Sequence, residues 1–462
     1  MSPEEFRRFG HEAIDWVADY LRDVRELSVL PDAAPGDIAK QLPPAGPASG
    51  EPMDAILQDF RELIVPGLTQ WNHPRFHAYF SVSSSGPGIL GELLCAAVNV
   101  NGMLWKSAPA ATELEQVTLD WLRQWIGLPE GFFGIIYDTA SMSSFHAIAA
   151  AREMADPDVR ENGMTLPLVL YTSEQSHSSI EKAALALGIG RRHVRKIPAD
   201  EKFRMRVDLL RREIETDRSA GRKPFCIVAT VGTTSTSSID PVPEIARVAE
   251  EHGLWLHVDA SYAGSAAVVP EFQWILDGAE HADSLVLNPH KWMFTPIDLS
   301  AFYTRRPDIL RRAFSLVPEY LKTADDGHVI NYMDYGLQLG RRFRALKLWF
   351  VMRSFGRDGI AAILRAHVRW AQELASIIEN HPDFEVAAPV PLSLVCFRYR
   401  GTDEQNRRLL DAINSSGTTF LSHTVLNGRF TLRLALGHFA VTWDDVMTSW
   451  RAVQDAAASI AE

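Results

Sequence analysis

Apolar residues recur at helical spacing near the start of the chain, where Phe6, Ile14, Trp16, Val17 and Tyr20 follow Ser2 and Glu5. Ser2 and Glu5 stand three apart, the spacing of a reciprocal helix cap, and Pro3 occupies the first helical position. An amphipathic N-terminal helix is predicted. The pattern lapses over residues 30–52 (LPDAAPGDIAKQLPPAGPASGEP), whose Pro, Ala and Gly content suits an extended crossing segment, before a short helix over 54–64. Such an arm has little core of its own and is expected to pack on another subunit.

Through the middle of the chain, short β-rich runs alternate with helical stretches: 134–137 then 143–154, 166–172 then 179–187, 225–231 then 242–252, then 254–259 and 283–287. This alternation predicts an α/β fold of βα units, a largely parallel sheet with helices on both faces, and a ligand site at the carboxyl ends of the strands. From about Gly340 a long helical stretch leads into a final α+β segment with strands near 394–399 and 430–436. The expected division is an N-terminal helical arm (1–75), a large domain (76–350) and a small C-terminal α+β domain (351–462).

Length and composition narrow this picture. A chain of 462 residues exceeds what one hydrophobic core organises. With 46 Lys and Arg against 58 Asp and Glu, the formal charge of −12 disfavours nucleic acid as a partner. Cys95, Cys226 and Cys396 are widely spaced in apolar stretches, which reads as packed, reduced thiols and a cytoplasmic protein, with no metal site expected. The N-terminus is charged from its fourth residue and does not read as a secretory signal, and no apolar run approaches the roughly 20 residues that cross a bilayer. A soluble protein with no membrane partner is expected.

Four segments place polar residues just after predicted strands. Lys291 follows ADSLVLN and is flanked by Pro289, Trp292, Met293 and Phe294, surroundings that desolvate an amine and lower its pKa toward nucleophilic use. Asp259 closes an apolar strand and needs a cationic or hydrogen-bonding partner, for which the pyridinium nitrogen of pyridoxal 5′-phosphate (PLP) is a candidate and a turn cap the alternative. Thr139-Ala140-Ser141 opens a helix near Ser143 and offers amides and hydroxyls to a phosphate, although taken alone it is simply an N-cap, the better reading. No Gly-rich loop accompanies it, against a dinucleotide or Walker-type site. His177 follows a fourth strand and is placed either to stack on a cofactor ring or simply to bond its neighbouring serines. Thr233, Thr234 and Ser235 supply hydroxyls near the same rim, or else a turn.

Taken together, SEQSHSS (173–179), ATVGTTS (229–235), HVDASYAGSA (257–266), NPHKW (288–292) and LGRRFRALKLWF (339–350) closely resemble the group II PLP-dependent decarboxylases of the aromatic-L-amino-acid decarboxylase type. AYFSVSSS (78–85) and SAPAATELE (107–115) extend the resemblance over nearly the whole chain. It implies the aspartate aminotransferase-like fold of PLP fold type I, with a mostly parallel seven-stranded sheet, and a homodimer with active sites at the subunit interface. It further implies that Lys291 carries the cofactor, that Asp259 partners the pyridine nitrogen, and that His177 stacks on the ring and meets the substrate carboxyl group. Ala140 and Ser141 would bind the phosphate with Asn288, Thr234 would lie close to Asp259, and His290 would sit beside the lysine.

Tyr320, in VPEYLK (317–322), aligns with the family's loop tyrosine that returns a proton to the substrate carbon, and so implies simple decarboxylation, where a phenylalanine would imply an oxygen-consuming aldehyde synthase. Residues 323–335 have the polarity of a lid or of a plain exposed loop. The substrate pocket implied by the resemblance comprises Trp71, Phe80, Val82, Asn101, Met103 and Gln338, with residues 101 and 103 donated by the partner subunit. Val82, Asn101, Met103 and Gln338 depart from the residues that relatives carry, so the pocket is expected to take an aromatic amino acid without specifying which: tryptophan, tyrosine, phenylalanine, DOPA or 5-hydroxytryptophan. The competing readings are an aldehyde synthase and a catalytically silent dimeric scaffold.

Overall fold

The computed structural model of the chain describes residues 1–316 and 328–461 and forms two compact units, one of residues 1–81, 377–387 and 397–462, the other of residues 82–376 and 388–396. In the first unit, α1 (Pro3–Asp23) starts where the capping pair puts it: the Glu5 N–H donates to Ser2 Oγ at 3.1 Å and the Ser2 N–H to Glu5 Oε2 at 2.7 Å. Its Trp16 stacks on Tyr20 and meets Phe60 edge-on, so the arm carries a small aromatic cluster of its own. The Pro/Ala stretch is mostly irregular, with one short helix, α2 (Asp37–Gln41), entered through Gly36 at φ 93°. Helix α3 (Met53–Asp59) runs on into a wider turn over Phe60–Ile64.

The second unit begins with α4 (Gly86–Val98) and α5 (Pro109–Trp125), neither of which the apolar pattern announces. Strand β1 (Phe133–Tyr137) is followed by α6 (Ala140–Ala155) and α7 (Val159–Asn162), then β2 (Leu168–Ser173) by α8 (Ser178–Ala186), and β3 (Val194–Ile197) by α9 (Val207–Ser219). Strand β4 (Lys223–Thr230), α10 (Val242–His252), β5 (Trp255–Asp259), β6 (Ser284–Leu287), α11 (Pro289–Trp292), β7 (Ser300–Thr304) and α12 (Pro307–Phe314) complete the unit, together with most of α13 (Ala345–Glu379), which is interrupted at Gly356 (φ 66°).

The sheet has seven strands in the order β1-β7-β6-β5-β4-β2-β3, and of the described strands β7 alone runs against its neighbours. The mostly parallel seven-stranded sheet expected from the sequence is present. Strand β4 is buried at every position but its first, as a central strand covered on both faces must be, and its run from Phe225 to Ala229 supplies the apolar side chains for both. Helix α6 packs buried Ala147, Ala149, Ala150 and Ala151 against that sheet, small side chains that let helix and strands lie close.

A smaller sheet in the order β10-β11-β9-β8 is formed by β8 (Phe384–Val386), β9 (Leu394–Tyr399), β10 (Ser422–Leu426) and β11 (Arg429–Ala435), all of the first unit except the first half of β9, and α14 (Asp403–Ser415) and α15 (Trp443–Ala461) belong to the first unit as well. The three cysteines are free and buried.

Candidate active site

Strands β5 and β6 end side by side, with Asp259 opposite Val286. Beyond β6 the Asn288 N–H donates to Ser261 O at 3.0 Å, and the single turn of α11 carries Lys291. Trp292, Met293 and Phe294 behind it are fully buried, and Trp292 stacks on Tyr262 at 4.8 Å. Burial holds the Lys291 amine below the ordinary lysine range, although the Asp259 carboxylate favours its charged form. The residue keeps some exposed surface, so the site combines a depressed amine pKa with access.

Asp259 is buried, and both the N–H and the hydroxyl of Ser261 donate to its Oδ1. Beneath it, His257 is fully buried between Ser284 Oγ (2.9 Å from Nδ1) and Ser144 Oγ (3.1 Å from Nε2), and burial lowers its pKa. His177 caps α8: its Nδ1 accepts the Ser179 N–H at 3.2 Å and lies 2.8 Å from Ser179 Oγ. Burial lowers its pKa, Asp259 pulls it upward and Lys291 pushes it down, so the three groups lie within electrostatic reach of one another at the strand ends. The bland alternative for His177, a hydrogen bond to the neighbouring serine, is also realised in this geometry.

Helix α6 begins at Ala140, three residues before the expected Ser143, because Thr139 is a true N-cap whose Oγ1 accepts the Met142 N–H at 3.4 Å. Ala140 and Ser141 therefore hold first-turn amides of a 16-residue helix, groups that have no partner within the helix and favour an anion. Asn288 is buried, and its Oδ1 has no hydrogen-bond partner among the described residues. Gly232 (φ 88°) lets the next turn close on Ala263, since a Cβ there would stand 2.5 Å from the alanine Cβ. In that turn Thr233 is buried and structural, accepting the Ser238 N–H at 3.0 Å, whereas Thr234 is exposed. His290 is buried with Nδ1 accepting the Leu299 N–H at 2.9 Å, and burial pulls its pKa down to about 3. An amine, a carboxylate and a helix start with unpaired first-turn amides are groups PLP asks of a protein, and they fit it.

Of the expected pocket residues, Asn101, Met103 and Gln338 are each hydrogen-bonded within the second unit. Asn101 Oδ1 accepts the Arg341 N–H at 2.9 Å, Met103 O accepts the Met333 N–H at 3.1 Å, and the Gln338 side-chain amide donates to Asp138 Oδ2 at 3.3 Å. Val82 is half-buried in the same unit. Trp71 and Phe80 belong to the other unit, where Trp71 packs on Phe76 and Tyr79, and Arg433 lies over the Phe80 ring. Tyr320 lies outside the described residues.

Four supporting residues escaped the sequence reading. Ser261, the double donor to Asp259, sits inside a quoted motif but only its geometry reveals the role. Buried Asp240 accepts the Met205 N–H at 2.7 Å and the Thr230 N–H at 2.8 Å, and burial raises its pKa to about 6. Glu115 and Arg341 form a buried ion pair. Among the described residues no group of three His, Cys, Asp or Glu side chains is placed to hold a metal ion, and no helix is long and apolar enough to cross a membrane.

The family model described as the pyridoxal-dependent decarboxylase conserved domain matches residues 35–400. The chain is 41% identical to the aromatic-L-amino-acid decarboxylase of Bos taurus, over all of this chain and 97% of the bovine protein. It is 38% identical to the phenylacetaldehyde synthase of Arabidopsis thaliana, over 99% of this chain and 96% of that protein. The crystal structure of Oryza sativa TDC with PLP and tryptamine superposes with a TM-score of 0.97 at 34% identity, covering all of this chain and 99% of the rice chain. The chain belongs to the pyridoxal-dependent decarboxylases, PLP-dependent carboxy-lyases of fold type I.

Proposed function

We propose that the protein decarboxylates an aromatic L-amino acid to the corresponding arylalkylamine and carbon dioxide. The observation that carries this reading is the meeting of Lys291, Asp259 and His177 at neighbouring strand ends, in a chain matched along its whole length by an aromatic-L-amino-acid decarboxylase. Bound PLP supplies an electron sink for the carbon–carboxylate bond that breaks.

The chain's own residues divide the remaining work. Lys291, its amine favoured in the neutral form by burial, is the nucleophile for cofactor attachment. The amides of Ala140 and Ser141, with the Nδ2 group of Asn288, would bind the phosphate. Asp259, held through Oδ1 by Ser261, would keep a proton on the pyridine nitrogen. His177 would cover the cofactor ring and orient the substrate carboxylate, Thr234 would present its hydroxyl at the rim, and His290 backs the lysine turn through Leu299. Tyr320 returns the proton to the substrate carbon. Asn101, Met103, Gln338 and Val82 shape the space for the substrate side chain.

The working unit in this reading is a homodimer. Leu90, Leu93, Leu94 and Val98 leave a face of α4 between 46 and 57% exposed, the kind of apolar patch that a second copy covers. The free thiols suit a reducing cytoplasm.

Incubating PLP-loaded protein with tryptophan, tyrosine, phenylalanine, DOPA and 5-hydroxytryptophan, with carbon dioxide and amine quantified, tests the reading. Release from at least one of them is expected, and release from none overturns it. An oxygen electrode separates the aldehyde-synthase alternative, which the 38% identity to a phenylacetaldehyde synthase brings into view: Tyr320 predicts no oxygen uptake.

A further inference from the structure

Six residues past the cradle that starts α6, the same helix buries a histidine that the chemistry above does not use. His146 is 1% exposed and stacks on Tyr137 at 4.1 Å with the rings 5° from parallel, while Phe314 packs at 4.7 Å. Its Nδ1 lies 2.6 Å from Met142 O, which can only accept, so Nδ1 carries the proton and Nε2 is left as an acceptor. The Leu337 N–H donates to that Nε2 at 3.0 Å.

The bond belongs to a set. The Tyr137 hydroxyl donates to Tyr335 O, and the Gln338 side chain donates to Asp138 Oδ2, next to the Thr139 cap of α6. Between them, Gly336 packs over the ring pair so tightly that a Cβ would stand 3.1 Å from both His146 Nε2 and Tyr137 Cε1. Residues 335–338 are thus tied at three points to β1, to α6 and to Asp138 between them, the segment that presents the phosphate cradle. Burial pulls the His146 pKa to about 4, which keeps Nε2 available as an acceptor at neutral pH.

We propose that His146 is a positioning residue for substrate selection: by accepting the Leu337 N–H it fixes where Gln338 stands beside Asp138, and so sets the wall that meets the substrate side chain. The part concerning substrate rests on the decarboxylase reading; the part concerning backbone position does not.

Leu337 gives the test its contrast, because its side chain is 67% exposed while its amide is bonded to a buried ring. Hydrogen exchange on the wild-type protein should show this amide protected, and His146→Leu, which keeps bulk but removes the acceptor, should speed its exchange by roughly five- to tenfold, the worth of one hydrogen bond. His146→Gln, whose Oε1 reaches the place of Nε2, should restore protection. In the same three proteins, the ratio of kcat/KM for tryptophan, tyrosine and phenylalanine should shift in His146→Leu and return in His146→Gln. An unprotected Leu337 amide in the wild type overturns the proposal, as does a substrate ratio that stays constant while exchange accelerates. If no amino acid is turned over, the decarboxylase reading fails, and the ratio is then taken from dissociation constants of the same amino acids with the same two outcomes. A purely structural histidine would lower thermal stability without moving the ratio, and wild-type exchange decides the backbone claim even if His146→Leu does not fold.

Discussion

Arg341 and Glu115 clasp the backbone of Ile136 from its two polar sides. The guanidinium donates to Glu115 Oε1 at 2.7 Å and to Ile136 O at 2.8 Å, while the same Glu115 oxygen accepts the Ile136 N–H at 2.8 Å. Ile136 lies on β1, the edge strand of the large sheet, so an ion pair satisfies backbone groups that a neighbouring strand would otherwise take. Both side chains are buried, and Arg341 also lies over the Tyr332 ring at 4.5 Å. Arg341→Met leaves the buried Glu115 carboxyl without its guanidinium partner, and should cost about 3–5 kcal/mol in urea unfolding. Adding Glu115→Leu should recover part of that loss.

Lys291→Ala should abolish the visible absorbance of the PLP-loaded protein and its decarboxylase activity together. In the cofactor-free wild type the depressed pKa should make Lys291 the first lysine to react with an amine-directed reagent near pH 8, which peptide mapping reads directly.

Asp240 makes a pH prediction whose sign opposes that of an ordinary ion-paired carboxylate. Its pKa is raised from 3.8 to about 6 by burial, so between those values the folded protein binds more protons than the unfolded chain. Stability attributable to this group therefore falls as pH rises from about 4 to 6, by a few kcal/mol at most. Urea titrations of wild type and Asp240→Asn across this range should show that component of the slope lost in the variant, and an unchanged slope would contradict the assignment.

Native protein should react slowly with thiol reagents, since Cys95, Cys226 and Cys396 are all buried and burial pushes the Cys226 thiol up. Three thiols per chain should appear on denaturation.

Tyr320→Phe should lower amine formation by a factor of about 10²–10⁴, the usual worth of a positioned proton donor, and an oxygen electrode should then register uptake. Uptake by the wild type at a rate matching carbon dioxide release would falsify the simple decarboxylase assignment.

The sequence made the chemistry more legible than the architecture around it. Asp259 stands out in the sequence because it closes an apolar strand, where a charged group has few reasons to be, whereas Lys291, weak alone, stands out through the NPHKW motif that follows one. The parallel order followed from alternating runs such as that of β4. By contrast, β3 sets Arg195 and Lys196 between its apolar ends, so it presents no apolar run to read. Helix α5 buries Thr112, Glu115 and Thr118 on its inner face, which breaks the apolar stripe that would have revealed it. His146 was invisible for a related reason: in an Ala-rich helix a lone histidine reads as core, and its partner lies in residues far along the chain.

The pairing of Tyr137 with Ser300 also sets a timetable for the newborn chain. At roughly 5–20 residues per second, β1 leaves the ribosome roughly 10–30 s before the strand that it must join has been made, and Arg341, which shields its other side, arrives later still. For that interval Ile135 and Ile136 have no sheet to enter, and an open strand is a template for mispairing with other chains. Successful production of this enzyme therefore depends on what happens to residues 133–137 during synthesis, and slower translation lengthens the wait.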